Sequence, residues 1–155
     1  MTYTTNTTNT TKFQEDLKFG QEYEIKSLQY LKYDTYEIKK GYFKEYDILL
    51  DNTTKVEVKS EKLAGITGNI AIENSCSNRP SGILTTEADL WVHFIVYDAY
   101  ADCYVIPIND LRNIVRNCRM VKGGDGMRAR MYLVNKNMIQ QYKTDKINKE
   151  IKEYI

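Results

Sequence analysis

The stretch that most constrains the fold is residues 46–60, YDILLDNTTKVEVKS, which has the pattern of two short strands joined by a tight turn. In its second half Val56 and Val58 alternate with Glu57 and Lys59. Because successive side chains of a strand point to opposite faces, the two valines face one side and the two charged residues the other. The pattern therefore predicts a β-hairpin with one apolar face and one charged face.

The hairpin also gathers residue types that can bind a metal. The first strand contributes Asp47, and the second contributes Glu57 and Lys59. Carboxylates are hard oxygen ligands of the kind that Mg²⁺ prefers, and a nearby ammonium group can orient a water molecule or take a proton from it. The alternative interpretation is an ordinary amphipathic hairpin whose glutamate and lysine face water.

A helix is predicted before the hairpin. Thr11 and Gln14 match a capping box, so we expect the helix to cover residues 12–33. One side of this helix carries a stripe at helical spacing, made of Phe13, Leu17, Gly20, Glu24, Leu28 and Leu31. Glu24 interrupts the apolar stripe, and an acid on an inward face needs a partner unless it reaches water at the edge of the stripe.

The remaining elements predict a single α/β domain. Residues 1–11 form a polar Thr/Asn-rich tract and are expected to be a disordered tail, which leaves residues 12–155 as one domain. Strands are expected at 68–73, 90–98, 103–108 and 127–135, loops at 74–83 and 122–126, and helices after Asn109 or Asp110 and at 137–155. This order predicts a mixed central β-sheet flanked by helices.

Composition excludes several classes of protein. The formal charge is +1, so any nucleic-acid surface has to be local. No apolar run reaches the ~18 residues of a membrane helix, and a secretory leader is not recognisable, so a cytoplasmic protein without membrane contact is expected. The three cysteines have wide spacings and are expected to be reduced thiols. No phosphate-cradling loop is present, and no organic cofactor is expected.

The order of these motifs resembles the PD-(D/E)XK nuclease superfamily, which includes restriction endonucleases and archaeal-type Holliday junction resolvases. The resemblance covers roughly residues 12–115: a helix with Gly20 and Glu24, then Asp47, and then VEVKS with Glu57 and Lys59. One departure is residue 46, a tyrosine where the named motif has proline.

The resemblance implies a restriction-endonuclease-like fold and a metal-dependent DNA endonuclease, with a Holliday junction resolvase as the favoured subtype and a homodimer as the expected assembly. Asp47 and Glu57 would bind Mg²⁺, or Mn²⁺ in its place, together with the Val58 carbonyl. Lys59 would be the catalytic lysine, and Glu24 an accessory acid from the helix.

Two further sets of residues were candidates for substrate contacts. Glu73 could add a ligand or position water, while Arg79 and the Ser81 hydroxyl in the following polar stretch could contact a phosphate. Residues 112–130 hold six basic residues against one acid, and those expected to bind the DNA backbone are Arg116, Arg119, Lys122, Arg128 and Arg130. The alternative for both sets is a solvated surface.

His93, inside an apolar run, is interpreted as a hydrogen-bonded core or groove-wall residue rather than a metal ligand. The competing function is a catalytically inactive nucleic-acid-binding or assembly subunit with the same fold. A sequence-specific restriction enzyme or nuclease toxin is a third alternative.

Overall fold

The computed structural model describes residues 4–41 and 45–147, with the side chains of the first helix described from residue 14 onward. Its α-helices are α1 (Thr4–Ser27), α2 (Ala64–Thr67) and α3 (Ile108–Val115). Its strands are β1 (Tyr36–Ile38), β2 (Ile48–Leu50), β3 (Thr54–Glu61), β4 (Asn69–Cys76), β5 (Arg79–Pro80), β6 (Leu90–Val96), β7 (Ala101–Pro107), β8 (Met120–Gly123), β9 (Ala129–Asn135) and β10 (Lys143–Thr144). Short 3₁₀ segments cover Leu28–Tyr30, Gly82–Leu84, Asp125–Met127 and Lys136–Tyr142.

The strands form two sheets. A six-stranded mixed sheet has the order β1-β2-β3-β6-β7-β10, and a four-stranded antiparallel sheet has the order β5-β4-β9-β8. In the larger sheet β3 and β6 are parallel, while every other neighbouring pair is antiparallel. The fold is therefore mixed α/β, as the sequence predicts, but its strands are divided between two sheets instead of one central sheet.

The predicted hairpin is confirmed. β2 and β3 pair antiparallel, with Ile48 opposite Val56. Asp51 and Asn52 at the turn both have positive φ, 52° and 58°, a left-handed conformation that Asp and Asn tolerate better than other side chains, and the Thr53 N–H donates to the Leu50 carbonyl over 3.0 Å. The N–H groups of Thr35 and Asp34 donate to Asp51 Oδ1 and lower the pKa of this carboxyl, so the turn also holds the chain entering the edge strand β1.

Two apolar cores lie on opposite faces of the larger sheet. On one face α1, through Tyr23, and the segment that follows it, through Leu28 and Leu31, pack against the sheet, where Val56 and Val58 point toward them. On the other face the four-stranded sheet and α3 pack against the larger sheet; the side chains at this interface include Ile70, Ile72, Trp91, Ile95, Ile106, Leu111 and Val134. β6 is buried on both faces because it lies between these cores, which confirms its prediction as a doubly buried strand.

The largest correction concerns the chain between the parallel strands β3 and β6. The predicted strand at 68–73 exists as β4, but it belongs to the second sheet. The predicted loop at 74–83 is a hairpin that turns at Ser77 and Asn78, both at positive φ, into β5. Parallel neighbours require a long crossover, and here the crossover forms strands of its own because β9 offers β4 an antiparallel partner.

Other boundaries also differ from the prediction. The first helix begins at Thr4 and ends at Ser27, since extending an existing helix is less costly than nucleating one, even through weak helix formers. α3 begins at Ile108 after Pro107, so neither Asn109 nor Asp110 is its N-cap. The predicted loop at 122–126 contains the end of β8 and the start of a 3₁₀ segment.

The predicted C-terminal helix is not formed in its described part, where a 3₁₀ segment and β10 occupy residues 136–144. β10 completes the edge of the larger sheet beside β7, so tertiary pairing overrides the local helical pattern here. Residues 148–155 lie outside the described part of the chain. Among the described residues, no helix is both long and apolar enough to cross a bilayer.

Candidate functional site

A cleft of about 1160 Å³ opens where α1 faces the end of β3. Its walls are α1, the C-terminal half of β3 and the segment that follows β1. Three of the four residues that were predicted to be catalytic line it: Glu24, Asp47 and Lys59. Helix and hairpin are therefore brought together as the sequence led us to expect.

Asp47 occupies the point where β2 separates from β3. It lies immediately before β2 and is only 5 % exposed. Its Oδ2 atom accepts a hydrogen bond of 2.7 Å from the N–H of Val58. Because the N–H and C=O of one strand residue point to the same side, the Val58 carbonyl is directed toward the side of the strand on which Asp47 lies. The separation of the strands thus places a buried carboxylate and a main-chain carbonyl at the cleft.

Glu24 is the acid that α1 brings to the cleft. It is 9 % exposed, which confirms its inward position, but Leu17 of the predicted stripe is 42 % exposed, so the stripe as a whole does not face inward. Tyr23, the preceding residue, is buried and packs its ring against Phe94 of β6 with centroids 4.9 Å apart. The position of Glu24 therefore depends on an aromatic contact that fixes the helix on the sheet.

Glu57 and Lys59 lie on the opposite face of β3 from Val56 and Val58, as the alternation predicts. Lys59 Nζ is 3.2 Å from Glu57 Oε1, and the lysine side chain is 46 % exposed while that of the glutamate is 14 % exposed. Glu57 is not among the described residues that line the cleft, so its carboxylate is connected to the cleft through Lys59. The Glu57–Lys59 ion pair is formed, but both side chains leave β3 on the face of the sheet opposite to α1.

Sequence reasoning missed six charged residues that line the cleft: Glu15, Asp16, Lys39, Lys40, Glu61 and Lys62. A hydrogen bond to Tyr46, followed by the charge of Glu37, raises the pKa of Lys39, so this side chain stays cationic at neutral pH. Lys62 lies over the ring of Phe19, with Nζ 4.9 Å from the centroid. The only signals in the sequence were the Lys-Lys pair after the edge strand and the charged residues that follow Lys59.

Glu61 is held by a buried hydrogen-bond chain. Trp91 Nε1 donates to His93 Nδ1 over 3.1 Å, and His93 Nε2 is 2.7 Å from Glu61 Oε2. Since an indole N–H can only donate, Nδ1 accepts, and Nε2 carries the proton that is donated to Glu61. The N–H of Ala71 on β4 donates to the same oxygen over 3.2 Å. This confirms His93 as a hydrogen-bonded core residue and shows that Glu61 connects the cleft wall to the second sheet.

Replacing His93 with phenylalanine should destabilise the fold by about 1–3 kcal/mol, because the buried Trp91 N–H loses its acceptor and Glu61 loses a donor. Urea denaturation monitored by tryptophan fluorescence measures this cost. Glu61→Gln is the matched control, since its amide oxygen still accepts from His93 and Ala71, and it should cost less. Equal stability of His93→Phe and the wild type would show that the hydrogen bonds from Trp91 through His93 to Glu61 contribute nothing to the free energy of unfolding.

The other predicted contact residues lie on the second sheet or in the segments next to its strands, with Arg116 and Arg119 between α3 and β8 and Arg128 just before β9. Glu73 on β4 accepts a hydrogen bond of 2.8 Å from the Ser81 hydroxyl, and Arg79 is exposed on β5. The predicted basic residues, all exposed, are Arg116, Arg119, Lys122, Arg128 and Arg130. None of these residues is among the described residues that line the cleft.

Part of the predicted ligand set for a hard cation lies at the cleft. Asp47 and Val58 line it, and the Asp47 carboxylate and the Val58 carbonyl are oxygen ligands of the kind that suits Mg²⁺ or Mn²⁺, whereas Glu57 lies outside the lining. Within the described part of the chain, no three His, Cys, Asp or Glu side chains form a metal-holding group, so a metal here needs the carbonyl or water as its further ligands. The cysteines are free, and burial raises the pKa of the Cys103 thiol, which suits a core residue.

Comparisons of the chain with protein-family models, with curated proteins and with solved structures find no match.

Proposed function

We propose that the protein is a Mg²⁺-dependent DNA endonuclease of the PD-(D/E)XK type with a restriction-endonuclease-like core. The observation that carries this proposal is the pair of buried carboxylates, Glu24 and Asp47, at one cleft that Lys59 also lines. Burying two acids at a solvent-filled cleft is costly unless partners or a cation compensate their charge.

The cleft residues divide the work of phosphodiester hydrolysis among them. A bound Mg²⁺, held by Asp47, Glu57 and the Val58 carbonyl, would neutralise charge on the phosphate and make a water molecule more acidic. The Lys59 ammonium, at the edge of the same site, would orient the attacking water and contact the phosphate. Glu24 would receive hydrogen bonds from water on the α1 side.

The lysines along the cleft support an anionic substrate. Lys39, Lys40 and Lys62 line the same cleft as Lys59, so a phosphate backbone that enters it can contact these cations. The carboxylates that line the cleft beside them are Glu15, Asp16, Glu24, Asp47 and Glu61. Phosphate contacts of this kind position the backbone without reading its sequence. This arrangement favours recognition of DNA shape, and a junction-resolving homodimer is the subtype that we favour.

Metal removal tests the proposal directly. Supercoiled plasmid, linear duplex and a four-way junction, each incubated with the protein, should be cleaved in Mg²⁺ or Mn²⁺, and cleavage should stop when EDTA is added. Gel electrophoresis of labelled strands measures the products, and symmetric nicks in the junction would identify a resolvase. Failure to cleave any of the three substrates with either metal would refute the nuclease.

The alternative is a nucleic-acid-binding or assembly subunit without catalysis. The observation in its favour is the set of exposed basic residues in the second sheet and in the segments before β8 and β9, none of which is among the described residues that line the cleft. This alternative predicts salt-sensitive DNA binding together with no heat of Mg²⁺ binding in titration calorimetry. Binding of Mg²⁺ that disappears in Asp47→Asn would exclude it.

A further inference from the structure

The short helix α2 carries its small residues inward and its large apolar residues outward. Ala64 is fully buried and Gly65 is partly buried, whereas Leu63, just before the helix, is 65 % exposed and Ile66 is 87 % exposed. A surface helix that served only to cover the core would have the opposite pattern, with its large apolar side chains facing inward. Packing of the core therefore does not account for Leu63 and Ile66.

Leu63 and Ile66 form one apolar projection. Leu63 already has helical backbone angles, φ −64° and ψ −32°, and residues three positions apart on a helix are neighbours on its surface. We call this pair of side chains the apolar tip. Because both side chains are exposed, the apolar tip presents adjacent leucine and isoleucine groups to solvent.

The backbone beneath the apolar tip is held in place. A Cβ atom on Gly65 would lie 3.0 Å from Cε1 of Tyr97, so the turn lies directly against this ring. The Thr67 N–H donates to the Leu63 carbonyl over 3.0 Å, and Gly68 ends the turn with a φ of 76°. A group that is already fixed loses little conformational entropy when it binds, so the apolar tip is suited to insertion into a partner.

The apolar tip adjoins the cleft. Lys62, which lines the cleft, is the residue before Leu63, and consecutive Cα atoms are about 3.8 Å apart. The Gly65 N–H donates to the Lys62 carbonyl over 3.2 Å, so this lysine is the first residue of the same turn. Leu63 and Ile66 are not among the described residues that line the cleft. A nucleotide whose phosphate contacts Lys62 therefore lies next to the apolar tip.

The size and surroundings of the apolar tip favour DNA bases over a protein surface. A stable protein interface takes about 800 Å² from each partner, or roughly 20–30 residues, whereas the tip consists of two side chains beside a lysine. Leucine and isoleucine are among the residues that DNA-binding proteins insert between base steps. Insertion costs least where bases are already unpaired or unstacked, as they are at a branch point.

We infer that the apolar tip inserts into the open base stack of branched or unpaired DNA, next to the backbone that occupies the cleft. The inference rests on the proposed function and gives it a substrate preference, for opened DNA over a continuous duplex. The contact is to the apolar faces of bases, so it adds affinity without sequence preference. It neutralises no phosphate, so it leaves the salt dependence of binding unchanged.

The experiment measures DNA binding by the full-length protein in Ca²⁺, separately from cleavage. Fluorescence anisotropy over a salt series compares a four-way junction with a linear duplex of the same arm sequence. A second junction carries 2-aminopurine at the branch point, where its fluorescence rises when the base leaves the stack. The test variant is Leu63→Ser/Ile66→Ser. The matched control is Leu84→Ser/Met127→Ser, which removes two apolar side chains of 58 % and 61 % exposure outside the cleft lining.

The tip variant should bind the junction roughly 10-fold more weakly and the linear duplex within about twofold of the wild type, with an unchanged salt slope. The rise in 2-aminopurine fluorescence should occur with the wild type and the control and be lost in the tip variant. Leu63→Ile/Ile66→Leu keeps the apolar volume and should bind like the wild type, which separates loss of the apolar contact from loss of folding.

Three binding results would overturn the inference: equal affinity of the wild type for junction and duplex, an unchanged junction affinity in the tip variant, or an equal loss in the control. A shallower salt slope in the tip variant would also overturn it, because the lost contacts would then be to phosphates. Sedimentation velocity tests the other occupant. A wild-type dimer that the tip variant loses would assign the apolar tip to a second copy of the chain.

Failure of the nuclease proposal gives a different result. Cleavage absent with every metal, together with a weaker junction affinity in the tip variant alone, rejects the enzyme and leaves the apolar tip as a contact to opened DNA. Metal-dependent cleavage that Lys59→Ala abolishes, together with an unchanged junction affinity in the tip variant, rejects the role of the tip and leaves the enzyme.

Discussion

Replacing Lys59 with alanine is expected to lower the rate of Mg²⁺-dependent cleavage by about 10²- to 10⁴-fold, the range typical of a group that assists proton transfer or orients the nucleophile. Lys59 is the cation that lies both at the cleft and 3.2 Å from Glu57. The loss should appear in the single-turnover rate of strand cleavage, while affinity for DNA in Ca²⁺ changes by much less.

Asp47→Asn should have an effect of at least the same size. The amide oxygen can still accept the Val58 N–H, so the hairpin keeps its geometry, but the charge that would hold the metal is lost. Raising the concentration of Mg²⁺ or Mn²⁺ should recover part of the activity of Asp47→Asn and none of the activity of Lys59→Ala. The reason is that only Asp47→Asn weakens metal binding.

Lys55→Ala is the matched control for both variants. Lys55 is on the same strand as Lys59, but it pairs with Glu87 at 3.5 Å and is not among the described residues that line the cleft. Its cleavage rate should remain within a factor of about two of the wild type, since an exposed ion pair contributes little. Wild-type cleavage by Lys59→Ala and Asp47→Asn would remove the proposed site.

The second large effect is expected for Phe94→Ala, which should lower the free energy of unfolding by about 3–5 kcal/mol. Phe94 is 1 % exposed in the middle of β6. Its ring contacts Tyr23 and Tyr30, with centroid distances of 4.9 and 5.5 Å, and these tyrosines attach α1 and the turn after it to the sheet. Deleting the ring leaves a cavity beneath the helix that carries Glu24.

Urea denaturation measures this loss, and Phe94→Leu serves as the control. Leucine refills most of the volume, so it should cost less than about 1.5 kcal/mol. Cleavage by Phe94→Ala at a temperature where it remains folded should also fall, since α1 is no longer held at its position over the cleft. A loss below about 1 kcal/mol would show that the aromatic contact does not secure α1.

The sequence was sufficient for features that depend on local pattern. The hairpin follows from strand alternation and from the Asp51–Asn52 turn, and the buried strand β6 follows from an apolar run too short for a helix of its own. The inward position of Glu24 follows from helical spacing alone. These features are determined by neighbours within a few positions along the chain, so they can be predicted without knowledge of the rest of the fold.

The second sheet could not be predicted in this way. The alternation in β4 identifies a strand, but only β9, about sixty residues later, determines which sheet that strand joins. The same holds for β10, where pairing with β7 replaced a helical pattern. Strand partners are chosen by tertiary packing, which local propensity does not encode.

The sequence by itself determined which residues can perform chemistry at the hairpin: an aspartate at the start of one strand, and a glutamate and a lysine on one face of the next. Only the tertiary structure decided what accompanies them. It placed Glu24, Asp47 and Lys59 at one cleft and left Glu57 outside the lining. It also added three acids, Glu15, Asp16 and Glu61, and three further lysines. The physical reason is that alternation and helical spacing assign a side chain to a face, whereas the group that it meets there depends on which distant strand or helix packs against that face.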